Sequence, residues 1–247
     1  MAIRKHLPNA LTCLNLLCGC VALTLILAYD ARPEYVSSSE QQWQPLVQAA
    51  YFIGLAAVAD FFDGFVARAL HVSSPIGKDL DSLADMVSFG VVPGAVLFKL
   101  LQYALPASLP AWLAYLAFIV SIFSALRLAK FNNDTRQTNS FIGLPTPANT
   151  LLVVSLPLIL LNDRFGLQTY LLSPWVLLGL TVLLSYLLVA EIPLFALKFK
   201  NFGWQDNSLR FIFVLLSVGL LLVLGATAVP LIVLLYVLLS VLKPKYV

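Results

Sequence analysis

Charge is scarce in this sequence. Of its 247 residues only 11% are Asp, Glu, Lys or Arg, where a soluble domain carries about 25%. That shortage excludes a water-soluble globule, and a mean hydropathy of +0.91 excludes a disordered chain. Cysteine is scarce too. The three present, Cys13, Cys18 and Cys20, crowd into one apolar run. They have neither zinc-site spacing nor partners elsewhere, so they read as small apolar side chains in a membrane helix. The two histidines, His6 and His71, sit near expected cytoplasmic helix ends with no nucleophile motif beside them. A Ser-His-Asp triad, a Walker loop and a dinucleotide fingerprint are all missing, as is a basic stripe for nucleic acid. The first apolar run leads into Asp30-Ala31-Arg32-Pro33 rather than a small-residue cleavage site, so it is expected to be a span and not a leader.

What the sequence has is apolar length. A membrane span needs about 20 mostly apolar residues. The runs fall at roughly Ala10–Ala28, Val47–Ala69, Asp79–Tyr103, Pro110–Lys130, Pro147–Leu161, Pro174–Pro193, Leu209–Thr227 and Val229–Val241. They predict an all-α polytopic helix bundle of about eight spans, forming one domain over 1–247. The last three runs, rich in Leu and Val, are expected to be lipid-facing scaffold. Basic residues orient the bundle. With the N-terminus in the cytoplasm, Arg4, Lys5, Arg68, Lys78, Arg127, Lys130, Arg136, Lys198, Lys200, Arg210, Lys243 and Lys245 all return there. Only Arg32, Lys99 and Arg164 fall outside, so twelve of the fifteen basic residues support cytoplasmic N- and C-termini. Two polar loops interrupt the pattern, an outer one at Asp30–Pro45 and a cytoplasmic one at Phe131–Leu144.

The acidic residues are bunched. Five of the twelve lie between Asp60 and Asp85. Asp60, Asp63, Gly64, Ala67 and Arg68 recur at helical spacing and share one face. After a turn through Ser73-Ser74-Pro75-Ile76, Gly77, Asp81 and Asp85 share one face of the next helix. The short turn predicts that these helices are antiparallel neighbours with both charged faces meeting near the cytoplasm. The expected hairpin covers about 47–103. An Asp within a span costs about 2.5–3.5 kcal/mol, so four left bare would cost on the order of 10 kcal/mol, as much as a domain's whole stability. Arg68 neutralises one at most. Either further basic residues and water satisfy the rest in a polar cavity, or divalent cations do. Mg²⁺ and Mn²⁺ are hard, oxygen-seeking ions that share carboxylates with phosphates, and four carboxylates suit a pair of them. Asp79 lies about 200° from Asp81 around the helix and leaves the shared face.

The pattern Asp60-x-x-Asp63-Gly64-x-x-Ala67-Arg68, eight residues, Gly77-x-x-x-Asp81-x-x-x-Asp85 resembles the complete signature of the CDP-alcohol phosphatidyltransferases. The resemblance implies integral membrane enzymes that exchange the CMP of a CDP-linked lipid for an alcohol, with the site facing the cytoplasm. It implies that Asp60, Asp63, Asp81 and Asp85 hold two metal ions, that Asp85 also takes the acceptor's proton, and that Gly64, Ala67, Arg68 and Gly77 belong to the CDP-lipid site. It also implies a homodimer.

The flanks bear on the acceptor. Leu80–Pro93, Ala125–Asn132, Phe141–Ala148 and Leu7–Asn15 are similar to the phosphatidylserine synthase branch of that family. The resemblance there implies CDP-diacylglycerol and L-serine as substrates and the cytoplasmic membrane of a prokaryote as the location. Arg127 and Lys130 lie one turn apart at the cytoplasmic end of the fourth span. They either receive serine's carboxylate or serve as positive-inside anchors. Asn9 and Thr12 either contact the CDP group, as the resemblance suggests, or act with Asn15 and Gly19 as polar glue between helices. The same chemistry with glycerol 3-phosphate or an inositol compound stays open as an alternative. An ion-coupled transporter is a distant one, since it expects acids at the midplane of two related halves, and here they cluster in one hairpin.

Overall fold

The computed structural model describes residues 2–29, 39–72, 74–134, 140–195 and 203–242. Among them ten α-helices run in chain order as α1 (Ala2–Ala28), α2 (Ser39–Ala69), α3 (Pro75–Asp85), α4 (Val92–Ala104), α5 (Ile119–Asn133), α6 (Thr146–Asn162), α7 (Gln168–Leu171), α8 (Pro174–Val189), α9 (Trp204–Leu224) and α10 (Ala228–Leu242). A tighter 3₁₀ turn, Ala111–Phe118, leads into α5. Among the described residues five stretches are long and apolar enough to cross a membrane: His6–Ala28, Gln42–Ala69, Pro75–Ala104, Ala111–Asn133 and Asn207–Leu242. α6 and α8 are shorter apolar helices. Among the described residues the chain is therefore an all-helical integral membrane protein apart from one short ladder. Leu222, 81% exposed, and Leu215 and Leu17 face outward, the exterior that lipid rather than water requires.

The ladder is an addition to the expected all-α bundle. β1 (Ser140–Ile142) pairs antiparallel with β2 (Pro193–Phe195), with Phe141 opposite Leu194. It draws together the two loops that precede α6 and follow α8. The apolar run expected to continue to Pro193 consequently ends its helix at Val189. α10 fastens β2 in turn: Tyr236 donates to the Phe195 carbonyl at 2.9 Å, and Phe195, Phe213 and Tyr236 pack their rings together. The last runs are thus joined to the core as well as facing lipid. At the opposite end, Trp43 is 1% exposed and packs on Tyr29 and Tyr103, locking α1, α2 and α4.

α3 and α4 form one continuous helix with a wider π-type turn, Met86–Val91, between them. Pro93 explains it. Its nitrogen has no hydrogen to give the Phe89 carbonyl four residues back, and its ring crowds that carbonyl. Widening the turn relieves the clash, and Thr150 of α6 donates to the Phe89 carbonyl at 2.9 Å. Such turns recur at functional sites, and this one begins immediately after Asp85. The outer loop 30–38 and residues 135–139 of the cytoplasmic loop lie outside the described residues, as do Arg32, Arg136, Lys198, Lys200, Lys243 and Lys245.

Candidate active site

α1 is the centre of the site. It packs along both α2 and α3. The sequence predicts α2 and α3 as neighbours whose charged faces meet; their carboxylates do meet, beside the polar stripe of α1 that runs along both helices. Small residues allow this approach, and a Cβ on Gly19 would run into Ser88 of the π-type turn. Thr12 Oγ1 donates to Asp63 Oδ2 at 2.7 Å, and Asn15 Nδ2 donates to Asp85 Oδ1 at 3.2 Å. Ser88 donates to the Asn15 carbonyl at 3.0 Å, which fixes α1 against the turn after Asp85.

The carboxylates of the two helices converge. Asp60, Asp63 and Asp81 each offer an oxygen within 4.8 Å of the others. Asp85, one turn beyond Asp81, stands outside that group but within electrostatic reach of all three. Asp63 is 5% exposed, and Asp81 Oδ1 is buried with no hydrogen-bond partner. Close like charges repel, and a bare buried carboxylate oxygen is costly. Three convergent carboxylates, one of them carrying an orphan oxygen, fit a divalent cation of the Mg²⁺ or Mn²⁺ kind. Asp79 is exposed, off the shared face.

A cavity of about 250 Å³ opens beside these acids. Asp63 and Asp81 form one wall. Asn9 and Thr12 of α1, Gly64 and Ala67 of α2, and Ser74, Gly77 and Lys78 at the start of α3 complete it. Ser74 caps α3 by accepting from the Gly77 amide at 3.0 Å, with Pro75 at the first helical position. The glycines keep the space open. A Cβ on Gly77 would stand 3.0 Å from Asn9 Oδ1 and 2.9 Å from Ser74 Oγ. Arg68 is exposed, and its guanidinium folds over Gly64, 3.2 Å from where a Cβ would stand. Asn9, Thr12, Gly64, Ala67 and Gly77 are thus gathered on one cavity with Arg68 at its edge, although Thr12 gives its hydroxyl to Asp63.

The two basic residues one turn apart on α5 differ in burial. Arg127 is 6% exposed. Its Nε donates to the Leu144 carbonyl at 2.8 Å, its plane covers the Phe131 ring, and Asp85 and Tyr236 lie within its electrostatic reach. Lys130, one turn on, is exposed. Asn132 Nδ2 donates to Ser82 Oγ at 2.8 Å and its carbonyl accepts from Lys78 Nζ at 3.3 Å, clipping the end of α5 to α3. The sequence carries a signal for Asn15, which stands three residues after Thr12 on one stripe, and none for Tyr236, which only the packing of α10 on β2 brings near Arg127.

Comparison with known proteins adds independent findings. The family model described as CDP-alcohol phosphatidyltransferase matches residues 5–197. A Bacillus subtilis protein named CDP-diacylglycerol–serine O-phosphatidyltransferase is 32% identical over 199 residues, covering 80% of this chain and 92% of that protein. A Helicobacter pylori protein of the same name is 36% identical over 181 residues, covering 72% of this chain and 71% of that protein. One from Mycobacterium leprae is 32% identical over 195 residues, covering 76% of this chain but 57% of that longer protein. Three of the signature acids meet in space, Asn9, Thr12, Gly64, Ala67 and Gly77 line the cavity beside them, and the family model spans most of the sequence: the chain belongs to the CDP-alcohol phosphatidyltransferase family.

Proposed function

We propose that the protein transfers the phosphatidyl group of CDP-diacylglycerol to L-serine, giving phosphatidylserine and CMP. The observation that carries this reading is the pairing of two chemistries along one face of α3. Asp60, Asp63 and Asp81 converge at one level, and one turn further on a buried Arg127 lies within electrostatic reach of Asp85. The first suits a diphosphate with its cation, the second a small carboxylate-bearing alcohol. The names of the relatives from B. subtilis and H. pylori support serine as that alcohol.

In this reading the CDP group occupies the cavity beside Asn9, Gly64, Ala67 and Gly77, with Arg68 over the diphosphate and the acyl chains left in the bilayer. Asp60, Asp63 and Asp81 would hold Mg²⁺ or Mn²⁺, with Asp85 sharing a second ion, and such ions would neutralise the diphosphate and the departing CMP oxygen. Thr12 holds Asp63 in place. Asn15 engages Asp85 through Oδ1 and leaves Oδ2 to take the serine hydroxyl proton. The serine oxygen attacks the lipid-side phosphorus, and the bond from that phosphorus to the CMP oxygen breaks. Arg127 Nε is occupied by Leu144, so its two Nη nitrogens grip the serine carboxylate. Lys130 serves as an exposed cation at the acceptor entrance.

The reading extends to the whole chain as one domain, since Leu209, Phe213, Val233 and Tyr236 join the same apolar core as α1 and α2. Eight crossings follow if α6 and α8 each cross and Gly225, at φ +58°, divides Asn207–Leu242 into α9 and α10. The basic residues then put both termini and the site on the cytoplasmic side of a prokaryotic membrane. A homodimer is proposed from the family resemblance, and mass measurement in nanodiscs tests it. For the activity, purified protein is given CDP-diacylglycerol, Mn²⁺ and a panel of alcohols. Phosphatidylserine identified by mass is the expected product; a preference for glycerol 3-phosphate or an inositol compound would overturn serine.

A further inference from the structure

Asn149 is fully buried in the first turn of α6, and neither atom of its amide has a hydrogen-bond partner. An amide in a dry interior is costly unless something polar meets it. Its surroundings are fixed by its neighbours in sequence. Leu144, just before α6, accepts from Arg127. Thr150 donates to the Phe89 carbonyl, one turn beyond Asp85. α6 also lies along α2, the helix of Asp60. Asn149 thus stands on the turn of α6 that follows the Leu144 carbonyl held by Arg127 and directly precedes the threonine bonded to Phe89. Ser124, one turn before Arg127 on α5, is also fully buried with its hydroxyl unpartnered, and its Cβ packs against Gly90 of the π-type turn.

We infer that Asn149 is a specificity-determining residue for the acceptor alcohol: its Oδ1 accepts from the serine ammonium while Arg127 holds the carboxylate, with Ser124 offering a second polar contact. This rests on the serine reading above. A neutral amide suits the position. A permanent carboxylate there competes with the substrate for Arg127, and an apolar side chain leaves the ammonium without a partner in a low-dielectric pocket. Arg127 and Asn149 then read opposite ends of the amino acid, so losing each blurs a different distinction.

The test measures CMP release and lipid product with the purified full-length protein on L-serine, on 3-hydroxypropionate, which lacks the ammonium, and on ethanolamine, which lacks the carboxylate. Asn149→Leu is expected to raise the serine KM about ten- to a hundredfold, to leave the 3-hydroxypropionate KM in place, and to move the CDP-diacylglycerol KM less than about twofold. Asn149→Asp keeps an oxygen acceptor and is expected to retain the preference for serine over 3-hydroxypropionate. It carries the test by itself if the leucine variant does not fold. Equal losses of kcat on every acceptor, with the serine KM unmoved, would make Asn149 structural and overturn the inference. If the wild-type protein uses a different alcohol, the serine reading fails on its own. The Asn149→Leu KM for that alcohol then decides: a rise confined to it keeps Asn149 in the acceptor site, and an unmoved KM removes it.

Discussion

Replacing Thr12 by valine removes one oxygen and little else from the wall of the site. Thr12 is 3% exposed, and its hydroxyl donates to Asp63 Oδ2 at 2.7 Å and accompanies the Pro8 carbonyl at 3.1 Å. Valine keeps the branched shape, so the packing of α1 against α2 and α3 survives. What is lost is a hydrogen bond to a charged group, about 1.5–3 kcal/mol, or roughly 10- to 150-fold in an equilibrium constant. Partners that hold a metal ligand in place typically change metal affinity 10–100-fold, and the two ranges agree. The assay is CMP release against Mn²⁺ concentration, with CDP-diacylglycerol and serine saturating. Half-saturation is expected to shift upward about 10- to 100-fold in Thr12→Val, with kcat recovered at high Mn²⁺. An unmoved Mn²⁺ half-saturation together with a raised CDP-diacylglycerol KM would refute this reasoning, because Thr12 then touches the nucleotide rather than positioning Asp63.

Chelation by EDTA is expected to abolish CMP release, and Mg²⁺ or Mn²⁺ to restore it; full activity in metal-free buffer overturns the cation site. Asp60→Asn and Asp81→Asn are expected to be inactive yet to raise the Tm of EDTA-treated protein, since they remove like charges held within 4.8 Å. A lower Tm contradicts the account of an uncompensated cluster. Asp79→Asn, at an exposed position, is expected to keep its activity, and a dead variant there means the helical register is misread. Arg127→Ala is expected to raise the serine KM roughly 10- to 150-fold with little change in the KM for CDP-diacylglycerol. Arg127→Lys recovers part of the loss, because a point charge cannot reproduce a two-nitrogen grip. An effect confined to the donor lipid would move Arg127 to the CDP side.

Local chemistry is what the sequence determined by itself. Apolar runs long enough for the bilayer located the helices, because length and composition decide insertion without reference to a partner. The spacing of Asp60, Asp63, Asp81 and Asp85 put each pair on one helical face, because 3.6 residues per turn leaves no choice in the matter. The same geometry sent Asp79 away from them. Tertiary structure decided which elements meet. That α1 lies along both α2 and α3 depends on contacts between residues far apart in the chain. That placement turned Thr12 and Asn15 into supports for carboxylates. Arg127 and Lys130 look equivalent as neighbouring cations on one helix. Only the packing of α5 against the π-type turn and the start of α6 buries the first and leaves the second in the open. The ladder between β1 and β2 was illegible because neither three-residue segment forms a strand without the other. Asn149 was an unremarked amide at the head of an apolar helix, and its setting came from Leu144 and Thr150, two neighbours whose partners lie on other helices.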